Sequence, residues 1–176
     1  VVSIHGYMYP TGESLPETFF LRGADCWGWA TWQRGWDIFE PDGRLLLQQL
    51  RQKNLTQHFD FNGAYPYTRM LEDQIAGKND SWAVRWHASA FLQNRLTLYP
   101  GRSLVLNIGT DSSGTHCTAS ADFSGELADK PVKVERIPVE ENEIARQAFI
   151  DFFRTRRPSI LARIFRRALG MMGRAD

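Results

Sequence analysis

The chain is poor in cysteine: it has two, Cys26 and Cys117, in 176 residues. They lie far apart and match no metal or redox spacing. They can pair in an oxidising compartment, but nothing in the sequence requires it. No apolar run reaches the ~18 residues of a spanning helix. No N-terminal segment has the charged-then-apolar pattern of a secretory signal. The expectation is a soluble, cytosol-facing protein, at most peripheral at the inner face of a membrane. Internal repeats and low-complexity tracts are also lacking. One stretch lacks acid altogether: residues 152–175 hold seven Arg and no Asp or Glu. The rest of the chain then balances 14 basic against 20 acidic residues, a charge of −6. Basic character is local, which argues against nucleic acid and for one localised anionic partner.

What the chain has is apolar and aromatic mass. Apolar residues make up 43%, enough for a core. Four of the six tryptophans, Trp27, Trp29, Trp32 and Trp36, fall within ten residues. Such density has two readings, a packed aromatic core or a wall for flat ligands such as sugar rings. The length fits one domain on the usual scale of ~100–200 residues.

Residues 1–9 read as a strand and residues 11–16 as a turn. Thr18 to Arg22 is β-like and ends at Gly23. The spacing of Trp29, Trp32, Trp36 and Phe39 predicts a helix from Ala30 to Phe39. Leu45, Leu46 and Leu50 suggest a helix to about Lys53, and Tyr67, Met70, Leu71 and Ile75 form a stripe over 64–76. Gly77 is a plausible C-cap. Asn79-Asp80-Ser81 offers N-cap chemistry for a helix from Ser81 to about Gln93. That helix is apolar on most sides, as buried helices are. Strands are expected at Leu96–Tyr99, Leu104–Ile108 and residues 132–137, and a helix from Glu140 to Arg156. Pro158 suits the first turn of a terminal helix.

Three constellations can carry chemistry. In Cys26-Trp27-Gly28-Trp29-Ala30-Thr31-Trp32, Gly28 between two indoles allows a tight bend that makes either a ledge for a ring or a core plug. Asp80, ahead of an apolar helix, is a partly desolvated base or simply a cap, and the two roles are compatible. The polar loop from Gly109 ends in Thr115-His116-Cys117, where His116 either meets a phosphate or metal on closure or is an exposed loop histidine. Asp60-Phe61-Asn62 reads as a loop or cap segment rather than a metal site.

These segments, with Asn62-Gly63-Ala64-Tyr65-Pro66-Tyr67, Gly77 to Trp86, Leu98 to Val105 and Asn107 to Cys117, resemble bacterial glycosyltransferases related to family 2. The resemblance covers about residues 1–118. It implies the acceptor-side portion of a GT-A domain. Relatives carry an N-terminal half with nucleotide-binding strands and a metal-holding Asp-x-Asp, and no suitable Asp-x-Asp occurs here. The chain also opens on a strand-like run, Val1-Val2-Ser3-Ile4-His5, without Met, so a piece of a larger protein is expected. In relatives an acidic pair stands where this chain has Asn79-Asp80, and its second acid is the catalytic base. The Asn at the first position is a departure that leaves the base intact. Arg85 falls where relatives often have an Arg that supports the site or the leaving diphosphate, and His116 falls near a metal or diphosphate ligand of some members.

The fold expected is α/β: a partial GT-A domain with a mixed sheet and flanking helices over 1–138, and a C-terminal helical extension over 139–176. The function expected is inverting transfer of a sugar from a nucleotide-sugar to an acceptor hydroxyl, on a polysaccharide or lipid-linked glycan. Asp80 is the catalytic residue. Trp27, Gly28, Trp29, Trp32, Asn79, Arg85 and His116 bind substrate, and His116 helps hold a divalent metal, Mn or Mg, that depends mainly on residues outside this chain. The fragment alone is expected to be inactive. In residues 158–176, Ile160, Leu161, Ile164, Phe165, Ala168, Leu169 and Met172 fall on one helical face flanked by Arg. That pattern suits an anionic membrane surface or packing on the rest of the enzyme. Two rivals use the same residues: a non-catalytic carbohydrate-binding module built on the tryptophans, and a scaffold that docks a partner or membrane.

Overall fold

A computed structural model describes residues 1–106 and 125–156. Its elements are β1 (Ser3–His5), β2 (Thr18–Arg22), β3 (Trp29–Thr31), α1 (Gln33–Trp36), α2 (Gly43–Gln52), α3 (Thr56–Phe59), α4 (Tyr67–Ile75), α5 (Trp82–Leu92), β4 (Leu96–Pro100) and α6 (Glu143–Thr155). The architecture is α/β, with one open four-stranded sheet in the order β2-β4-β1-β3. β1 and β4 are parallel, and the other two pairs are antiparallel.

Strand register sorts the side chains into two faces. Ser3, His5, Thr97, Tyr99, Phe19 and Leu21 lie on one face and are all buried. α6 packs there through Phe149, against Phe19 and Tyr99, and α5 through Trp86, against Trp29. The opposite face carries Ile4, Ala30, Leu98 and Phe20. Phe20 is covered there, while Ile4 is 42% exposed and Leu98 half-buried. Ser3 and Thr97, two of the polar groups on the buried face, are paired with one another. Thr97 donates to the Gly23 carbonyl at 2.8 Å, which leaves the Ser3 hydroxyl to donate to Thr97 at 2.6 Å.

The helices begin where side-chain oxygens can replace the missing carbonyl partners. Asp42 accepts from the Arg44 and Leu45 amides, Ser81 from Val84, and Asn142 from Ala145. Asp60 accepts from the Thr68 amide and hydroxyl, so the Asp60 segment is a capping loop. α2 to α5 share a second core of Leu46, Leu50, Phe59, Leu71, Val84 and Phe91. α5 is buried from Trp86 to Leu92 on every side, as its composition predicts.

The structure departs from the periodicity reading in several places. The segment expected as a helix from Ala30 to Phe39 is β3 followed by the single turn of α1. Edge pairing with β1 outweighs the three-and-four spacing of its indoles, because β3 completes the hydrogen bonds of Ser3 to His5. Residues 132–137 form no strand, and β1 spans three residues rather than nine. Residues 104–106 are not a strand either; only Ser103 makes an isolated bridge, to Leu127.

α6 is fastened to β2 and α3 by a buried polar cluster. The Arg146 guanidinium donates to Asn62 Oδ1 at 3.2 Å and to the His58 carbonyl at 3.4 Å, and lies 3.9 Å from Glu141. Glu141 accepts from the Arg22 amide at 2.9 Å and lies 3.6 Å from His58. Burial pushes the Glu141 carboxyl up. Hydrogen bonds from His58 and the Arg22 amide, with the charges of His58 and Arg146, outweigh burial and hold it below its ordinary value. The carboxylate therefore stabilises the fold above the ordinary carboxylate range, and that contribution is lost as pH falls through its lowered value. Removing one partner of such a cluster strands the other charge. Arg146→Met is expected to cost about 3 kcal/mol in urea denaturation. Arg154→Met, which breaks only the exposed pair with Asp151, is expected to cost under ~0.5 kcal/mol. Equal costs would remove the cluster's role.

Candidate functional site

The tryptophans do not form one ledge. Gly28 sits at φ +57°, and a Cβ there would lie 2.6 Å from Val105 Cγ2, so a glycine is needed for the turn between two indoles. Trp27 goes to one side, with its ring 4.9 Å from Tyr7, in the core beneath α6. Trp29 goes to the other, 5.7 Å from both Trp82 and Trp86 of α5. Trp36 closes this second group, 5.2 Å from Trp86, 6.1 Å from Trp82 and stacked on Phe39 at 4.8 Å. Trp86 is wholly buried, whereas Trp36 and Trp82 are about 40% exposed. The group is thus a core plug on its inner side and an aromatic surface on its outer side. Trp32 stands apart and exposed, with the Arg34 guanidinium 4.5 Å over its ring.

Asp80 lies at the start of α5, two residues before Trp82. It is not the helix cap; Ser81 is, through its hydroxyl to the Val84 amide. Nor is it desolvated, since its side chain is 99% exposed. The extended backbone at Ser81 turns the preceding residue away from the helix, which is why the carboxylate projects outward. Arg85, one turn on, places Nη2 4.0 Å from the Asp80 carboxylate. Its Nη1 donates to the Pro41 carbonyl at 3.1 Å and its guanidinium lies 5.9 Å from the Phe39 ring. Asn79 is committed to backbone: Nδ2 donates to the Met70 carbonyl, and Oδ1 accepts from the Ser81 amide. It joins α4, at Met70, to the start of α5.

The fold thus brings Asp80, Arg85, Phe39, Trp36, Trp82 and Trp29 to one end of α5. Trp27 and Gly28 lie elsewhere, over the α6 core, and His116 lies outside the described residues. Trp36, Phe39 and Trp82 belong to this surface although periodicity assigns them to helix interiors. The four-residue spacing of Trp82 and Trp86 was the available signal. Among the described residues no three His, Cys, Asp or Glu side chains converge, so these residues do not make up a metal site. Among them, too, no helix is long and apolar enough to cross a membrane.

A second polar group lies below the tryptophan turn, assembled from distant positions that share no ligand spacing. His5 Nδ1 donates to the Tyr7 carbonyl at 2.7 Å, and Nε2 accepts from the Trp27 amide at 3.1 Å. Both ring nitrogens thereby have backbone partners. Asp25 accepts from the Tyr9 hydroxyl at 2.9 Å and from the Cys26 amide at 2.7 Å. Burial, then the Asp25 charge, hold the Tyr9, Tyr67 and Tyr99 phenols well above their ordinary value. The same two causes push the Cys26 thiol up to about 12, so it is no nucleophile. His87 on α5 sits between the rings of Phe59 and Tyr67, at 4.9 and 4.4 Å. Its Nδ1 is 2.8 Å from the Ala24 carbonyl and 3.2 Å from the Ala24 amide. One nitrogen cannot serve both, and the shorter contact makes Nδ1–H the donor. Gly23 is required beside it, since a Cβ there would lie 2.4 Å from the His87 ring.

A scan of family models, a search of curated proteins and a search of solved structures each match nothing.

Burial pushes the His87 imidazole down to about 4, against opposing contributions from Asp25, the Ala24 bond and Glu141. The unfolded chain, with an ordinary histidine near 6.5, then binds a proton that the folded chain refuses between these values. Stability from this group is present above pH ~6.5 and declines as pH falls toward ~4. Urea midpoints measured across this window are expected to fall with pH in the wild type, and less steeply in His87→Phe. Parallel slopes would mean that His87 is charged in the fold.

Proposed function

We propose that the chain is the acceptor-side part of an inverting, nucleotide-sugar-dependent glycosyltransferase of the GT-A fold. The observation that carries the reading is the juxtaposition at the start of α5. An outward carboxylate, an adjacent guanidinium and the exposed faces of Trp36 and Trp82 share one end of one helix. An aromatic face stacks a sugar ring, and a carboxylate at its margin takes a hydroxyl proton. In this reading the acceptor oxygen loses its proton to Asp80 and attacks the anomeric carbon. The bond from that carbon to the diphosphate breaks, and its electron pair leaves with the nucleoside diphosphate. Arg85 stands beside the Asp80 carboxylate, within 4.0 Å, and helps to orient it. Asn79 positions the helix start rather than touching substrate.

The open sheet supports the same reading. β3 is an edge strand, and Ile4 and Ala30 beside it are exposed on the uncovered face. β1 and β4 are parallel, and parallel strands are ordinarily covered on both faces. A nucleotide-binding half would continue the sheet past β3, cover that face and lower the dielectric around Asp80. The divalent ion of this family supplies charge neutralisation of the diphosphate when bound. The described residues do not form its site.

A carbohydrate-binding module is the second reading, favoured by the exposure of Trp32, Trp36 and Trp82. The two part on one experiment in the full-length protein. Asp80→Asn is expected to lower turnover at least ~100-fold with donor binding unchanged. Trp82→Ala is expected to raise the acceptor KM. Normal turnover in Asp80→Asn, with glycan binding that needs no nucleotide-sugar, would leave the module reading.

The acceptor is proposed to be lipid-linked, with residues 158–176 on an anionic membrane surface, each Arg contributing about 1 kcal/mol. Flotation of full-length protein with anionic liposomes is expected to fail when residues 158–176 are deleted. Undiminished flotation would assign that apolar face to packing within the enzyme.

A further inference from the structure

Between the sheet, α4, α5 and α6 lies a cavity of about 10 Å³, walled by Arg22, Asp25, Tyr67, His87, Tyr99 and Phe149 among others. His87 is 6% exposed, and its Nε2 is a buried polar atom with no hydrogen-bond partner among the described residues. Nδ1–H is already given to the Ala24 carbonyl, so Nε2 presents a lone pair and lacks a donor. Leaving such an atom dry is unfavourable, because its lost hydration is not replaced. The cavity has the volume that one water needs, ~10–15 Å³, and polar walls supply its further partners. A sugar or a nucleotide cannot enter a space of this size.

We infer that this cavity is a binding site for one ordered water, which donates one hydrogen to His87 Nε2 and the other to the Asp25 carboxylate. Each Asp25 oxygen accepts one protein hydrogen bond, from Tyr9 or from Cys26, and a carboxylate oxygen can accept two. The Tyr67 and Tyr99 hydroxyls on the same walls complete the coordination. The water ties α5 to the residues just ahead of the tryptophan turn. With the Nδ1 bond to Ala24, it makes the histidine a two-point clamp between α5, which Asp80 precedes, and the loop that leads through Trp27 into β3. The inference does not depend on the glycosyltransferase reading.

Crystals of the full-length protein test it directly. The expected result is a single spherical density peak ~2.7–3.2 Å from Nε2 and from one Asp25 oxygen. The peak is expected to vanish in His87→Phe, which offers no acceptor. Should that variant fail to fold, ¹⁵N-labelled histidine spectra of the unmodified protein decide. A hydrogen-bonded Nε2 shift and a cross-peak from the His87 ring to a long-lived water are expected. An empty cavity, a metal ion there seen by its anomalous signal, or a ring turned so that Nε2 meets a protein group would each overturn the inference.

Discussion

Helix α5 has apolar residues on nearly every side, and the rest of the molecule is arranged to bury them. Val84, Ala88 and Phe91 face α2 to α4, while Trp86 and Ala90 face the sheet. A helix of this kind cannot sit on a surface, because its backbone direction would expose one apolar stripe or another. It therefore becomes the axis between two cores. Its first turn reaches solvent, and there Asp80, Arg85 and Trp82 are found. A buried shaft with a polar tip is a rigid mount for the groups at that tip.

The second requirement is polar satisfaction inside that arrangement. His5, His87, Asp25 and Arg146 are drawn from four distant parts of the chain, and none lies on a polar surface. Their hydrogen bonds go mostly to backbone: the Tyr7 and Ala24 carbonyls, the Trp27 and Cys26 amides and the His58 carbonyl. Side chains used in this way specify where loops lie rather than adding much net stability. The tryptophan turn is held from both sides, by His5 on β1 at the Trp27 amide and by His87 on α5 at Ala24. Gly23 leaves room for the His87 imidazole, and Gly28 for the Val105 side chain.

The tryptophan-rich stretch shows how far pattern carries. Its density signals an aromatic assembly, and the assembly exists. The spacing of Trp29, Trp32, Trp36 and Phe39 suggests a helix, yet the first of them is in a strand. Short aromatic runs have no period long enough to outweigh pairing with an available edge. Asp80 shows the converse. An acid just before an apolar helix suggests a desolvated cap, but the helix starts one residue later, so Ser81 occupies the cap position with its hydroxyl on the Val84 amide and Asp80 lies outside it.

What the sequence determined by itself is what depends on neighbours along the chain. It marked the helices α2, α4, α5 and α6, the capping stretch Asn79-Asp80-Ser81, the turn at Gly28 and the strands β2 and β4. Each follows from local periodicity or from a side chain reaching a backbone amide a few residues away. Tertiary structure alone decided which indoles face inward, that Trp27 parts company with Trp29, and that His87 and Asp25 border one cavity. It also decided that Arg146 pairs with a loop and Glu141 beneath β2. Those outcomes depend on contacts between residues tens of positions apart. Their free energy comes from excluding water around particular side chains, and that is set only once the sheet and α5 have closed on each other.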